Sequence, residues 1–266
     1  DIADPYFGLI ASGVARGADE AGLVVTVAIT ERDPEREVRL VRALRGQRPR
    51  GLILAASRTS AGPAPELTRE LDLLGAMGGQ VVALGPGAGG VRSLILDNRA
   101  GAEALGRALV DRGYRRTVVL AAEEGTATSD SRLDGFRAGF TSAGGEEPRV
   151  YRGGFTREAG YEAMTRALAD GVETGTVVFG ISDVVAIGAL TAIRAAGRTA
   201  GADIALAGFD DIPTGRDVTP ALTTVHVPLE EVGYQAFRAA TDAEWEPHPD
   251  DLRLDVLLRE STPPRA

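Results

Sequence analysis

A chain of 266 residues, 44% apolar and 25% charged, can bury a sizeable core, in one domain or in two lobes of about 100–150 residues each. It contains no cysteine and no lysine, since all 29 basic residues are arginine; this excludes disulfides, thiolate metal sites, a thiol nucleophile, Schiff-base chemistry and a phosphate loop closing on Gly-Lys-Ser. The net charge of −9 opposes binding of the chain as a whole to nucleic acid, and no run of about 18 apolar residues is present to span a membrane.

Short apolar runs alternate with longer amphipathic ones, the pattern of parallel α/β units. The chain opens on Asp1-Ile2-Ala3-Asp4-Pro5-Tyr6-Phe7, a loop entering a helix over 6–21, with no strand before it. The first strand of a doubly wound sheet usually lies centrally, so the expectation is that the natural protein has at least one strand upstream. A strand is expected at 24–28, then a helix at 34–45, started by Asp33-Pro34-Glu35, where Asp caps and Pro suits the first turn. Strands at 51–55, 80–84 and 93–96 enclose a helix at 65–74 and the glycine-rich stretch 85–90. Beyond them, helices at 99–112, 130–143, 157–169, 183–196 and 229–240 alternate with strands at 117–121, 149–151, 176–179, 204–207, 223–226 and 252–258. Gly22, Gly113, Gly144 and Gly197 each follow a helical run, where glycine accepts the left-handed terminating conformation. Gly85, Gly87 and Gly90 mimic a dinucleotide fingerprint, but that motif needs a helix next, and the apolar run 91–96 predicts a strand.

Candidate binding residues cluster just past strand ends. Arg132, near the start of the helix at 130–143, is either a solvated surface arginine or a guanidinium forked onto ligand oxygens or a facing carboxylate. Phe155 is either a lid on the core or a ligand platform, and Ser182-Asp183 and Asp97-Asn98 are either helix caps or polar ligand contacts. Asp4 and Phe7 similarly read as a turn residue and a core anchor, or as part of a site. Phe209, Asp210 and Asp211 follow the strand at 204–207, where ligands bind in open α/β sheets. The recurrence of Arg132, Phe155, Ser182 and Asp210 at equivalent loop ends points to one wall of a cleft. Its cation, carboxylates, hydroxyl and aromatic rings suit a neutral polyhydroxy ligand. No enzyme constellation of similar quality exists. Only His226 and His248 supply imidazole, no metal-ligand spacing occurs, and Asp210 and Asp211 point to opposite sides if extended.

Several segments taken together resemble the effector-binding half of bacterial repressors of the lactose/galactose-repressor (LacI/GalR) family. Asp4-Pro5-Tyr6-Phe7 is similar to the family's Asn-Pro-Phe-Phe, and Asp97-Asn98-Arg99-Ala100-Gly101 to its Asp-Asn-x-x-Gly crossover. Tyr114-Arg115-Arg116 stands at its Gly-His-Arg, and Arg132-Leu133-Asp134-Gly135-Phe136 matches Arg-x-x-Gly-Phe. Ser182-Asp183 with Ala186 and Gly188-Ala189-Leu190 follows Asn-Asp-x-x-Ala-x-Gly-Ala-Leu; Gly208-Phe209-Asp210-Asp211-Ile212-Pro213 and Leu222-Thr223-Thr224-Val225 complete the set.

The resemblance implies an α/β fold of two doubly wound parallel-sheet lobes joined by three crossovers, as in type I periplasmic binding proteins. The N-terminal lobe would take 1–97 plus 228–243, the C-terminal lobe 98–227 plus 250–266. It implies an effector cleft lined by Arg132, Phe155, Ser182, Phe209 and Asp210 on one face and Asp4, Tyr6 and Phe7 on the other, with Asp97 at the crossover. Ser182 stands where Asn is usual, and Gly85-Pro86 where many relatives carry Asp-Arg, which points away from a simple pentose or hexose. The implied protein is a cytoplasmic, non-enzymatic regulator without a cofactor or membrane partner. It would sense a sugar or nucleoside and work as a homodimer. Operator DNA would be contacted only through an N-terminal helix-turn-helix headpiece absent from this chain. The helix at 183–196 and the segment 214–219 are candidate dimer faces. The alternative reading is a periplasmic or lipid-anchored sugar-binding protein of a transporter.

Overall fold

A computed structural model describes residues 4–31, 33–55, 64–85, 91–246, 248 and 252–265. The chain divides into two compact bodies, Asp1–Leu96 with Pro228–Arg253, and Asp97–Val227 with Leu254–Ala266, so it passes between them three times.

The first body begins with α1 (Pro5–Glu20), whose N-terminus is capped by the Asp4 carboxylate accepting from Tyr6 N at 3.0 Å. Helix α2 (Pro34–Gly46) starts as its sequence predicts, with Asp33 Oδ1 accepting from Glu35 N and Arg36 N at 2.9 and 3.2 Å. Strand β1 (Gly51–Leu54), helix α3 (Pro65–Ala76) and strands β2 (Gln80–Leu84) and β3 (Arg92–Leu94) follow. The three strands form a parallel sheet in the order β1-β2-β3. A strand and not a helix therefore follows the glycine-rich stretch, although Pro86 to Gly90 lie outside the described residues. Residues 24–28 correct an expectation: they form no strand, and Val24 is 94% exposed. Their composition suits a strand, but among the described residues none lies alongside to accept their ladder hydrogen bonds, and an isolated run cannot satisfy its own backbone.

The second body starts with α4 (Asn98–Asp111), β4 (Thr117–Ala122), α5 (Ala127–Ser142), β5 (Arg149–Gly153) and α6 (Arg157–Ala169). It continues with β6 (Val177–Gly180), α7 (Asp183–Ala195), β7 (Ala205–Ala207), the single turn α8 (Thr214–Asp217) and β8 (Thr224–His226). The chain then returns to the first body as α9 (Leu229–Thr241) and ends in the second with β9 (Asp255–Leu257). Strand order β5-β4-β6-β7 is parallel throughout, with wholly buried β4 inside and β5 at the edge. From β4 the chain moves outward to β5, then crosses back to β6 on the other side. Right-handed crossovers in opposite directions place α5 on one face and α6 and α7 on the other; α4 accordingly packs on α5, and α6 on α7. The strand order thus reverses between β4 and β6, and the crevice beyond their carboxyl ends is where such sheets bind ligands. Strand β8 pairs with β9, but antiparallel, in a two-stranded ribbon attached beside β7 through the bridge between Ala207 and Thr223.

Glycines set the helix spacing in both bodies. A methyl group at Gly13 of α1 would overlap the Glu230 carbonyl of α9, and one at Gly233 of α9 would overlap the Ile10 carbonyl of α1. Gly160 of α6 and Gly188 of α7 meet Val185 and Arg157 in the same reciprocal way. The small residues of α7 are consequently consumed inside the second body, with Ala186, Ala189 and Ala192 buried.

Candidate functional site

Helix α5 starts at Ala127, so Arg132 lies in its second turn and the first-turn dipole argument for it falls away. Its placement is decided by burial. Arg132 is only 2% exposed, and its guanidinium reaches three segments at once: Nε donates to Asn98 Oδ1 at 2.8 Å, Nη1 to the Ile181 carbonyl at 2.9 Å and Nη2 to Asp210 Oδ1 at 2.7 Å. The guanidinium carbon sits 3.8 Å from the centre of the Phe209 ring, close enough for a cation–π contact. Of the five N–H bonds of an arginine, three are used, and the other two have no partner among the described residues. Ile181 follows β6, α5 follows β4 and Asp210 follows β7, so the ion pair sits at the reversal of strand order.

Phe209 is fully buried beneath Arg132, so its ring supports the guanidinium and is not an open platform. Asp210 and Asp211 both have positive φ, 112° and 56°, an uncommon conformation for non-glycine residues that costs of order 1–3 kcal/mol each. The pair is therefore not extended, yet the two carboxylates still part company. Asp210 meets Arg132, whereas Asp211 accepts from Arg216 Nη2 at 2.7 Å, Arg259 Nη2 at 2.5 Å and His226 Nδ1 at 3.0 Å. Burial pushes the Asp211 carboxyl up, but the bonds from Arg216, Arg259 and His226 outweigh it and hold it below the ordinary carboxylate value. Asp183 goes the other way. Burial, then the neighbouring Asp210 charge, raise it well above that value, against hydrogen bonds from Thr224 and Ile212 N.

The remaining sequence candidates divide between the bodies. Ser182 caps α7, its Oγ accepting from Val185 N at 3.4 Å, and is buried one residue from the carbonyl that Arg132 holds. Asp97 caps α4, accepting from Ala100 N at 2.9 Å, beside the Asn98 that bonds Arg132. Phe155 is half-buried in the loop between β5 and α6. Asp4, Tyr6 and Phe7 belong to the first body, where Asp4 caps α1 and the two rings meet edge to face at 5.1 Å. The structure thus brings Arg132, Phe209 and Asp210 into contact, with Ser182 adjoining. Sequence reasoning missed Asn98 as a partner of Arg132, though it stood in the Asp97-Asn98 motif. It also missed the junction of Asp183 with Thr224 and of Asp211 with Arg259, whose long separations left no local signal.

Among the described residues no three His, Asp or Glu side chains are grouped to hold a metal ion. A buried cation beside a carboxylate at the crevice of a parallel sheet, with two N–H groups unbonded among the described residues, is chemically suited to hold a polar ligand. The class is a periplasmic-binding-protein-like receptor, and residues 107–262 match the family model described as a periplasmic binding protein-like domain. The HTH-type transcriptional regulator CelR of Thermobifida fusca is 30% identical over 98% of this chain and 77% of its own length. A solved CelR–cellobiose complex is similar with a TM-score of 0.81 at 28% identity, over 98% of this chain and 80% of that one. A LacI family regulator from Enterococcus faecium solved with ribose has a TM-score of 0.84 over 100% of this chain and 97% of that one; at 21% identity it shows the fold. The chain belongs to the LacI family of transcriptional regulators, whose periplasmic-binding-protein-like region it matches. These relatives are regulators and not enzymes.

Proposed function

We propose that the wall built on Arg132 and Asp210 holds the effector and that the effector is a sugar of the cellobiose type. The observation that carries this reading is the buried ion pair at the strand-order reversal, in which Arg132 keeps two N–H donors without a partner among the described residues. Sugar hydroxyls can take those donors while an apolar sugar face lies against neighbouring side chains. The cellobiose held by the CelR relative supports the choice of ligand class. Asp4, Tyr6, Phe7, Asp97, Phe155 and Ser182 are proposed as further contributors. The whole regulator is proposed to be a cytoplasmic homodimer whose operator contacts come from helix-turn-helix residues outside this chain, since a net charge of −9 opposes phosphate binding. A thermal-shift screen of cellobiose, ribose and nucleosides tests the reading. A ligand at about 100 times its dissociation constant should add roughly 2.7 kcal/mol of stability. Absence of any saturable sugar response would overturn it.

A further inference from the structure

The two carboxylates that follow β7 face different partners although they are adjacent, and something must hold that loop in its uncommon conformation. Asp210 N donates to the Val225 carbonyl at 2.9 Å, which fixes one point of it. The flanks of the pair are held by one residue. Asp183 N donates to the Phe209 carbonyl at 2.8 Å, on the near side, and Asp183 Oδ2 accepts from Ile212 N at 2.9 Å, on the far side. Asp183 Oδ1 lies 2.7 Å from Thr224 Oγ1, which in turn accepts from Asp211 N at 3.3 Å. Gly208 completes the fit, because a side chain there would overlap Asp183 Oδ1. Asp183 is fully buried and does not bond Arg132 itself.

We propose that Asp183 is the positioning residue of this site: it clamps Phe209 and Ile212 and so turns Asp210 toward Arg132 while leaving Asp211 to Arg216, Arg259 and His226. Its Oδ1 accepts from Thr224 Oγ1 at 2.7 Å and its Oδ2 from Ile212 N at 2.9 Å. Asparagine can keep Ile212 N on its carbonyl and turn its NH2 toward Thr224 Oγ1, whose hydroxyl then donates to the Val225 carbonyl 3.4 Å away; alanine can do neither. The role of Asp183 in recognition rests on the proposed reading of Arg132 and Asp210 as an effector site, but its hold on the loop does not.

The test is amide hydrogen exchange over 208–213 in the full chain, beside cellobiose titration, for Asp183→Ala and Asp183→Asn. Asp183→Ala should speed exchange at 209–212 at least tenfold while β4 is unaffected, and should weaken cellobiose binding at least tenfold at a temperature well below its melting point. Asp183→Asn should stay within about threefold of the parent in both. If Asp183→Ala does not fold, Thr224→Val should show the same loss in milder form, and Thr224→Ser should restore it. Unchanged exchange in Asp183→Ala or Thr224→Val, or an Asn variant as impaired as the Ala variant, would overturn the assignment. A parent protein that ignores cellobiose but shows the predicted exchange pattern would leave the clamp standing and sink the effector reading alone.

Discussion

The two bodies are built from similar parts, but they treat charge differently. In the first, Glu70 is the buried charged residue among those described, and it faces Arg42 and Arg45 from α2 at 2.7 and 2.9 Å, Arg42 being 60% exposed. These bonds, that from Arg42 first, hold the Glu70 carboxyl below its usual value, in a setting where solvent screens the gain. In the second body Arg132, Asp183, Asp210 and Asp211 are buried within one loop-end cluster. Stacked rings of Phe136 on Phe179 and Phe140, at 4.5 and 5.5 Å, mark the core of the same body. Burying four ionisable side chains in a well-packed body is costly, and apolar replacements would often be no less stable. The contrast teaches that a lone buried carboxylate here ties one helix to another, while the cluster of buried ionisable groups lies at strand ends, beside the proposed effector wall.

Arg132→Ala should sharpen that contrast most. It leaves Asp210 buried without its cation, next to Asp183, and should cost about 3–5 kcal/mol in urea unfolding, as well as effector binding. Next in size come Gly13→Ala and Gly188→Ala, which force apart the α1–α9 and α6–α7 pairs in different bodies. Each should cost about 1–3 kcal/mol, and calorimetry should show which of two transitions each one moves. A smaller effect separates the carboxyls by pH. Asp183, with its raised folded value, binds a proton more tightly when folded, so its contribution to stability falls as pH rises above the ordinary carboxylate value. Asp183→Asn should remove that dependence, up to about 1.4 kcal/mol per pH unit. Asp211 is lowered, so its contribution is present above the ordinary value and lost as pH falls through its folded one; Asp211→Asn should flatten the acid limb instead. Urea midpoints from pH 3 to 8 (a span of about five units around these values) read both signs. Arg42→Ala should have the smallest effect, a melting shift below all of these, because its partner retains Arg45.

Much of the fold was legible because local rules and long-range packing agree. Asp33-Pro34 begins α2, Ser182 caps α7, and Gly22, Gly113, Gly144 and Gly197 all have positive φ at helix ends. The segment 24–28 was misread because strand composition says nothing about whether a neighbour exists to pair with. The site was legible as a set of loop ends, and Arg132 and Asp210 were named from that pattern. Their direct ion pair joins residues 78 apart in sequence, and the roles of Asp183 and Arg259 rest on similarly distant partners. Phe209 was read as a ligand surface because an aromatic beside a carboxylate gives no sign of which side of it a guanidinium will cover.

The central claim is that Asp210, held by Arg132, is part of the effector wall. Calorimetric titration of cellobiose into the parent protein and Asp210→Asn, at matched fraction folded, tests it most directly. The account predicts saturable binding by the parent and a tenfold to hundredfold weaker association for the variant, the roughly 1.5–3 kcal/mol of a hydrogen bond to a charged group. Equal affinities in the two folded proteins would contradict it.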